Sequence, residues 1–199
     1  MNYLNKTIAQ EEFESTIKKF EEIEDARDQL WDRAQVLIEK SFEVEAYILI
    51  LATWNFARFR YFMKSFDLRK FADVIKNINP IFKKLENKQF ESSDFTDNYF
   101  ISDIKLIYTQ LKSIAEQTGA TKIMALKNSK LFVMWDTEIR KIYKIDNKGT
   151  ADDYIDFLIK MQDYFRNINW DGKVQPLAKA IDEYNYVVVD KIRKKRKKL

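Results

Sequence analysis

Apolar residues recur along this chain at helical intervals and show little of the strict alternation of half-buried strands. Phe13, Ile17, Phe20 and Ile23 stand four, three and three positions apart, the spacing that lines one face of an α-helix. Leu30, Trp31, Ala34, Leu37 and Ile38 continue the stripe, so a first helical tract is predicted from about Ile8 to Glu39, its polar face crowded with Glu, Asp and Lys. The next segment, Glu45–Met63, is apolar nearly all round. A membrane-spanning helix needs ~20 largely uncharged residues. Here the uninterrupted apolar run is only Ala46–Ala52, and Asn55, Arg58 and Arg60 follow closely. The pattern predicts a buried central helix of a soluble protein, with at least one of Arg58 and Arg60 paired to an acidic residue.

Asp67 can cap a helix through Lys76, and Pro80 is expected to reset the chain for a short helix to about Glu86. Asn87–Asn98, NKQFESSDFTDN, is polar and aperiodic and is the expected loop or lobe boundary. Ile104, Ile107, Tyr108, Leu111 and Ile114 mark one face of a helix from about Phe100 to Gln117. Gly119 is expected to break it, with another helix beginning at Lys122–Leu126. Leu131–Trp135 is a short apolar run suited to an extended or tightly turned path, and Asp136 stands where the N-cap of a helix over Thr137–Tyr143 belongs. Thr150 and Asp153 have capping-box spacing and open a helix to about Phe165. Asp171-Gly172 marks a turn before a last helix, about Val174–Lys195, bearing Leu177, Ala178, Ile181 and Val188. There is no internal repeat and no heptad long enough for a coiled coil. The expectation is an all-α single globular domain over residues 1–190, with two helical lobes flanking a cleft near Asn87–Asn98 and Leu131–Asp136, followed by a basic tail at 191–199.

Composition narrows the chemistry. A chain of 199 residues suits one domain that buries roughly 70% of the surface its unfolded form exposes. Three Gly and two Pro leave few turns and favour long helices. With no His and no Cys, Ser-His-Asp and Cys-His nucleophilic systems are excluded. So are zinc sites built from thiolates or imidazoles, cysteine-ligated iron–sulfur clusters and disulfides. Any catalysis must use an amine, carboxylates, hydroxyls or an oxygen-ligated metal. The acidic cluster Glu11, Glu12, Glu21, Glu22, Glu24 and Asp25 lies on one presumed solvent face and does not converge as a metal site would. No metal and no cofactor is predicted, and no phosphate-binding glycine motif is present. The charged N-terminus lacks a secretory h-region, so a cytoplasmic location is expected.

The net charge of +4 conceals an asymmetry: Lys191–Lys198, KIRKKRKK, carries seven positive charges, leaving the rest of the chain at −3. Such a tail suits a polyanion.

Within Thr118–Lys141, Lys122 lies three positions after Gly119, in the first turn of its predicted helix, where the helix dipole disfavours the protonated amine. Asp136 follows at the start of the next helix. An amine with a nearby carboxylate is what amine-catalysed base excision needs, together with DNA held so that a nucleotide can leave the stack. The segment resembles the helix–hairpin–helix DNA glycosylase superfamily. Gly119-Ala120-Thr121-Lys122 stands in for the end of the family's hairpin, and Val133–Arg140 for its aspartate motif. The chain departs from that pattern in having Thr118 and Ala120 where the family has glycines, and Glu138 where it has His. The resemblance implies that Lys122 is the Schiff-base nucleophile and Asp136 the assisting carboxylate, with Arg140 one helical turn beyond. Gly119, Trp135, Arg140 and Lys141, with Lys191, Arg193, Lys194, Lys195, Arg196, Lys197 and Lys198 of the tail, are the candidate nucleic-acid contacts; Trp135 is a candidate ring to stack on an extruded base, although its place in the apolar Leu131–Trp135 run favours a core residue. The expected function is a DNA-repair glycosylase with AP-lyase activity, nucleoid-associated through its DNA. The alternative is a non-catalytic helical nucleic-acid-binding or protein-interaction module.

Overall fold

The computed structural model describes residues 7–23, 26–54, 59–61, 63–145 and 148–196, and these form an all-α fold with no strand among them. The first tract is two helices, α1 (Gln10–Ile23) and α2 (Ala26–Glu39). The central apolar segment yields α3 (Glu43–Trp54), whose Ala46, Tyr47, Ile50 and Leu51 are buried. Arg58 lies outside the described residues, and Arg60 is exposed. A short 3-10 turn at Met63–Ser65 precedes α4 (Leu68–Leu85), capped by Asp67, whose carboxylate accepts from the Arg69 and Lys70 N–H groups at 2.9 and 3.0 Å.

Pro80 does not end α4. The helix runs straight through it because Phe71, Val74, Ile75, Ile78, Phe82 and Leu85 form one unbroken buried stripe, while Pro80 itself is exposed. Burying each such side chain is worth ~1.5–3 kcal/mol, so the stripe outweighs the ~3 kcal/mol that an interior proline costs. The Asn87–Asn98 segment is a loop up to Asp97, as expected, but one packed onto the body. Phe90 and Phe95 are buried, the Phe90 N–H donates to the Lys130 carbonyl at 2.8 Å, and Gln162 Nε2 donates to the carbonyls of Phe90 and Ser93, each at 2.9 Å. Its aromatic anchors hold this polar stretch against the body.

The long helix α5 (Asn98–Lys127) is kinked at Glu116 (φ 58, ψ −178), three positions before the expected break at Gly119, which is itself helical and buried. Positive φ at a non-glycine residue is strained, so the surrounding packing, not local preference, sets the kink. After an extended segment come α6 (Thr137–Ile142), α7 (Ala151–Phe165) and α8 (Leu177–Arg196). The capping box of α7 is present: Thr150 N–H donates to Asp153 Oδ2 at 2.6 Å and Asp153 N–H to Thr150 Oγ1 at 3.1 Å. Helix α1 packs on α8, α2 on α3, α4 on α5 and α5 on α7. One hydrophobic cluster runs from Ile8 to Val189 and includes residues of every long helix. That single core does not divide into the two lobes expected from sequence. No helix among the described residues is long and apolar enough to cross a membrane.

Candidate active site around Lys122 and Asp136

Leu131–Trp135 is buried throughout yet belongs to no sheet, so its backbone polar groups need other partners. Side chains supply them. Asp182 Oδ1 accepts the Met134 N–H, and Tyr154 OH donates to the Val133 carbonyl at 2.9 Å. The Thr121 hydroxyl accepts the Trp135 N–H and donates to the Trp135 carbonyl, each at 3.3 Å. The segment is thereby fixed, and Asp136 emerges from it as the N-cap of α6, its Oδ1 accepting the Ile139 N–H at 2.8 Å. Its second oxygen lies 3.6 Å from the Arg193 guanidinium.

Lys122 approaches the same place from α5. The kink at Glu116 redirects the last turns of that helix, and the Lys122 ammonium donates to the backbone carbonyl of Trp54 at the end of α3. Lys122 and Asp136 line one pocket, a cavity of about 570 Å³. Its remaining wall is one face of α8, where Lys179, Asp182, Glu183, Tyr186, Val189 and Arg193 recur at helical intervals. Trp54 and Phe20 add ring surface. The lining carries three cationic residues (Lys122, Lys179, Arg193) and four acidic ones (Asp136, Glu138, Asp182, Glu183), so the pocket mixes charge instead of presenting a purely basic surface.

Two parts of this wall differ electrostatically. Lys179 and Glu183 form an ion pair at 3.0 Å with both side chains buried. Gln175 Nε2 donates to Glu183 at 2.6 Å, and the Lys179 ammonium lies 5.5, 5.2 and 5.6 Å from the ring centres of Phe20, Trp31 and Trp54, where the ring quadrupoles stabilise it. Asp182 is also buried, but its Oδ2 has no hydrogen-bond partner. Burial pushes its carboxyl well above the ordinary carboxylate range. Lys179, the Met134 N–H and Lys122 oppose that rise, while Glu183 adds to it.

The other sequence candidates scatter. Gly119 is buried inside α5, so Gly119-Ala120-Thr121-Lys122 is helical and not a hairpin. Trp135 borders the pocket, but its indole is only 1% exposed. It packs at 5.8, 5.1 and 5.5 Å from the rings of Tyr108, Tyr154 and Phe157, and its N–H donates to the Gln117 carbonyl at 3.3 Å. That aromatic burial makes it core, where it cannot serve as a stacking platform. Arg140 is likewise buried, its guanidinium 5.2 Å from the Trp135 ring centre, and so does not reach a phosphate. Lys141 is exposed and paired with Glu138 at 2.7 Å. On α8, Lys191, Arg193 and Lys194 are exposed, Lys194 pairing with Asp190 at 2.7 Å. Lys195 and Arg196 end the helix, while Lys197 and Lys198 lie outside the described residues. The structure therefore brings together Lys122, Asp136 and Arg193.

Sequence reasoning missed Lys179, Asp182 and Glu183. Their signal was three charges at i, i+3 and i+4 placed among the apolar residues of a core helix, which reads as an ordinary polar face until burial is known. Among the described residues no group of three carboxylates is arranged to hold a metal ion. Comparison with protein families, with characterised proteins and with solved structures finds no match to this chain.

Proposed function

We propose that the pocket is the active site of a DNA base-excision enzyme that receives a nucleotide extruded from the duplex. The observation that supports this reading is that Lys122 and Asp136, an amine and a carboxylate from separate elements, line one cavity. Its volume of about 570 Å³ falls within the range of small-molecule sites. In this reading the Lys122 ammonium first gives up a proton to solvent, and the amine then forms a bond to the sugar C1′ as the glycosidic bond breaks. The base leaves with that electron pair and takes up one proton that the amine releases. The Trp54 carbonyl orients the amine, and Asp136, fixed by the Ile139 N–H, places negative charge near the cationic sugar. Arg193 and the rest of Lys191–Lys198 supply salt-sensitive phosphate affinity.

Borohydride trapping on duplex DNA carrying an abasic site tests this. The expected result is a covalent adduct with the wild type and none with Lys122→Ala. Absence of both an adduct and any base release from damaged duplexes sinks the catalytic reading. A second reading, a non-catalytic nucleic-acid-binding module, is favoured by the engagement of both Asp136 oxygens and of the Lys122 ammonium. It requires DNA binding that is unaffected by Lys122→Ala and nearly abolished on deletion of Lys191–Lys198.

A further inference from the structure

A duplex carries one negative charge per ~1.7 Å of its axis, and the pocket, with four acids to three cations, is poorly suited to hold it. The outer face of α4 has what the pocket lacks. That helix carries five cations, Arg69, Lys70, Lys76, Lys83 and Lys84, to one acid, Asp73, and all six are exposed. Arg69, Lys76 and Lys83 stand seven positions apart, so steps of ~10.5 Å set them in one row ~21 Å long. Lys70, Asn77 and Lys84 form a second row beside it, with Asp73 and Pro80 between the two. No residue of α4 lines the pocket around Lys122.

Neither ion pairing nor helix stability accounts for these cations. Lys84 pairs with Asp103 at 3.5 Å, but among the described residues Arg69, Lys70, Lys76 and Lys83 meet no carboxylate. Exposed cations on other elements are answered: Lys105 by Asp152 at 2.5 Å, Arg166 by Asp163 at 2.5 Å and Lys173 by Asp171 at 3.4 Å. Arg69 and Lys70 stand in the first turn of α4, which has no acid and where the helix dipole disfavours positive charge. At the other end Lys83 shares a cleft of about 430 Å³ with the exposed Lys130, which extends the basic row beyond the helix. The acids of that cleft are Glu43, already engaged by Lys127 and Asn79, and Glu86.

We infer that the outer face of α4, with Lys130 beyond its C-terminal end, is a docking surface for the sugar–phosphate backbone of duplex DNA. The apolar stripe of α4 is buried in the core, so the helix cannot sink into a lipid surface as an interfacial helix does. Its two aromatic residues, Phe71 and Phe82, lie in that stripe, so the exposed face offers unpaired bases no ring to stack on. What remains is evenly spaced positive charge, which reads phosphates without regard to base sequence. The choice of DNA as the duplex rests on the base-excision reading of the pocket, but the contact asks only for binding.

The test is fluorescence anisotropy of the full chain on a short undamaged DNA duplex, over a series of salt concentrations. Replacing Arg69, Lys76 and Lys83 together by Gln should lower affinity about tenfold or more and reduce the slope of log affinity against log salt by about 3. Replacing Lys105, Arg166 and Lys173 by Gln removes the same charge and should change that slope by less than about 1. A second readout needs no variant: acetylation of the wild-type chain with and without the duplex. Bound duplex should protect Lys70, Lys76 and Lys83 several-fold more than Lys105 and Lys173. The inference is overturned if both triple variants lose affinity alike, if the α4 variant keeps the wild-type slope, or if the duplex leaves the α4 lysines as reactive as before. Protection of those lysines by anionic phospholipid vesicles and not by the duplex overturns it as well. Base release with the α4 lysines unprotected removes this inference alone. Protection of the α4 lysines without base release or a trapped adduct removes the enzymatic reading alone.

Discussion

Glu183 and Asp182 are neighbours on α8, 5% and 6% exposed, yet they occupy opposite situations. Glu183 meets Lys179 and Gln175, and the Lys179 ammonium is surrounded by three aromatic rings, so the charges of that cluster are answered by protein. Asp182 has one oxygen bound and one without a partner. A buried charge satisfied from several directions belongs to the scaffold, because removing any member leaves the others in a low-dielectric medium. A buried acid satisfied on one side keeps an unmet polar atom in the interior, at a cost of about 1–3 kcal/mol. The two lie side by side because helical spacing puts Lys179, Asp182, Glu183 and Tyr186 on the same wall.

The comparison breaks most visibly at Glu183. Glu183→Leu leaves the Lys179 ammonium buried without this carboxylate, and urea unfolding should report a loss of about 3–5 kcal/mol. Adding Lys179→Met should restore much of that loss, since two apolar side chains of similar volume replace the pair. A single-substitution loss of less than about 1 kcal/mol would mean that the cluster is not structural, and the contrast with Asp182 would lapse.

Asp136 sharpens the comparison from the functional side. It is a part-exposed helix cap, so Asp136→Ala should cost only about 1 kcal/mol while eliminating base release if its carboxylate faces the sugar. Asp136→Asn should retain most of the cap and still lose the activity. Equal activity in wild type and Asp136→Asn would leave this aspartate a cap and nothing more. A smaller effect is expected at the exposed end of α8, where Arg193 and Lys194 lie. Replacing Arg193 and Lys194 by Gln should reduce the slope of log affinity for DNA against log salt by about 2, and an unchanged slope would place the phosphates elsewhere.

Local rules were enough to foresee the capped helices. Asp67, Asp136 and Thr150 were legible because an N-cap depends on neighbours three positions away. Pro80 and Gly119 were misread for a shared reason: each is a local breaker overruled by burial of residues around it, Ile78 and Phe82 for the proline, Ile123 and Met124 for the glycine; Asn87–Asn98 was legible as a loop, but its burial through Phe90 and Phe95 was not. Lys122 and Asp136, singled out in the sequence, line one pocket, but the wall that completes it was not foreseen. Which face of α8 is buried depends on α1, α2 and α3, whose Phe20, Trp31 and Trp54 surround Lys179, and no spacing within α8 contains that information. Trp135 was legible as core from its place in the apolar Leu131–Trp135 run, whereas Arg140 shows the converse, since the resemblance gave it a nucleic-acid contact and tertiary packing put it inside.

The smallest effect is the most discriminating for Asp182. Its carboxyl is raised by burial, with Glu183 adding to the rise and Lys179, the Met134 N–H and Lys122 opposing it. A group raised in the folded state contributes stability that is fully present below its unfolded value, here near 3.8, and lost as pH rises through the folded value. Asp182→Asn keeps the bond to Met134 and does not titrate. Its melting temperature should therefore gain on wild type steadily as pH is raised from about 4 toward neutrality, with the advantage levelling off above the folded value. The reverse trend, with wild type gaining on the variant as pH rises, would mean that Asp182 is ionised and held by Lys122 and Lys179. Asp182 would then resemble Glu183, a buried charge answered by protein, and the contrast between the two neighbours would vanish.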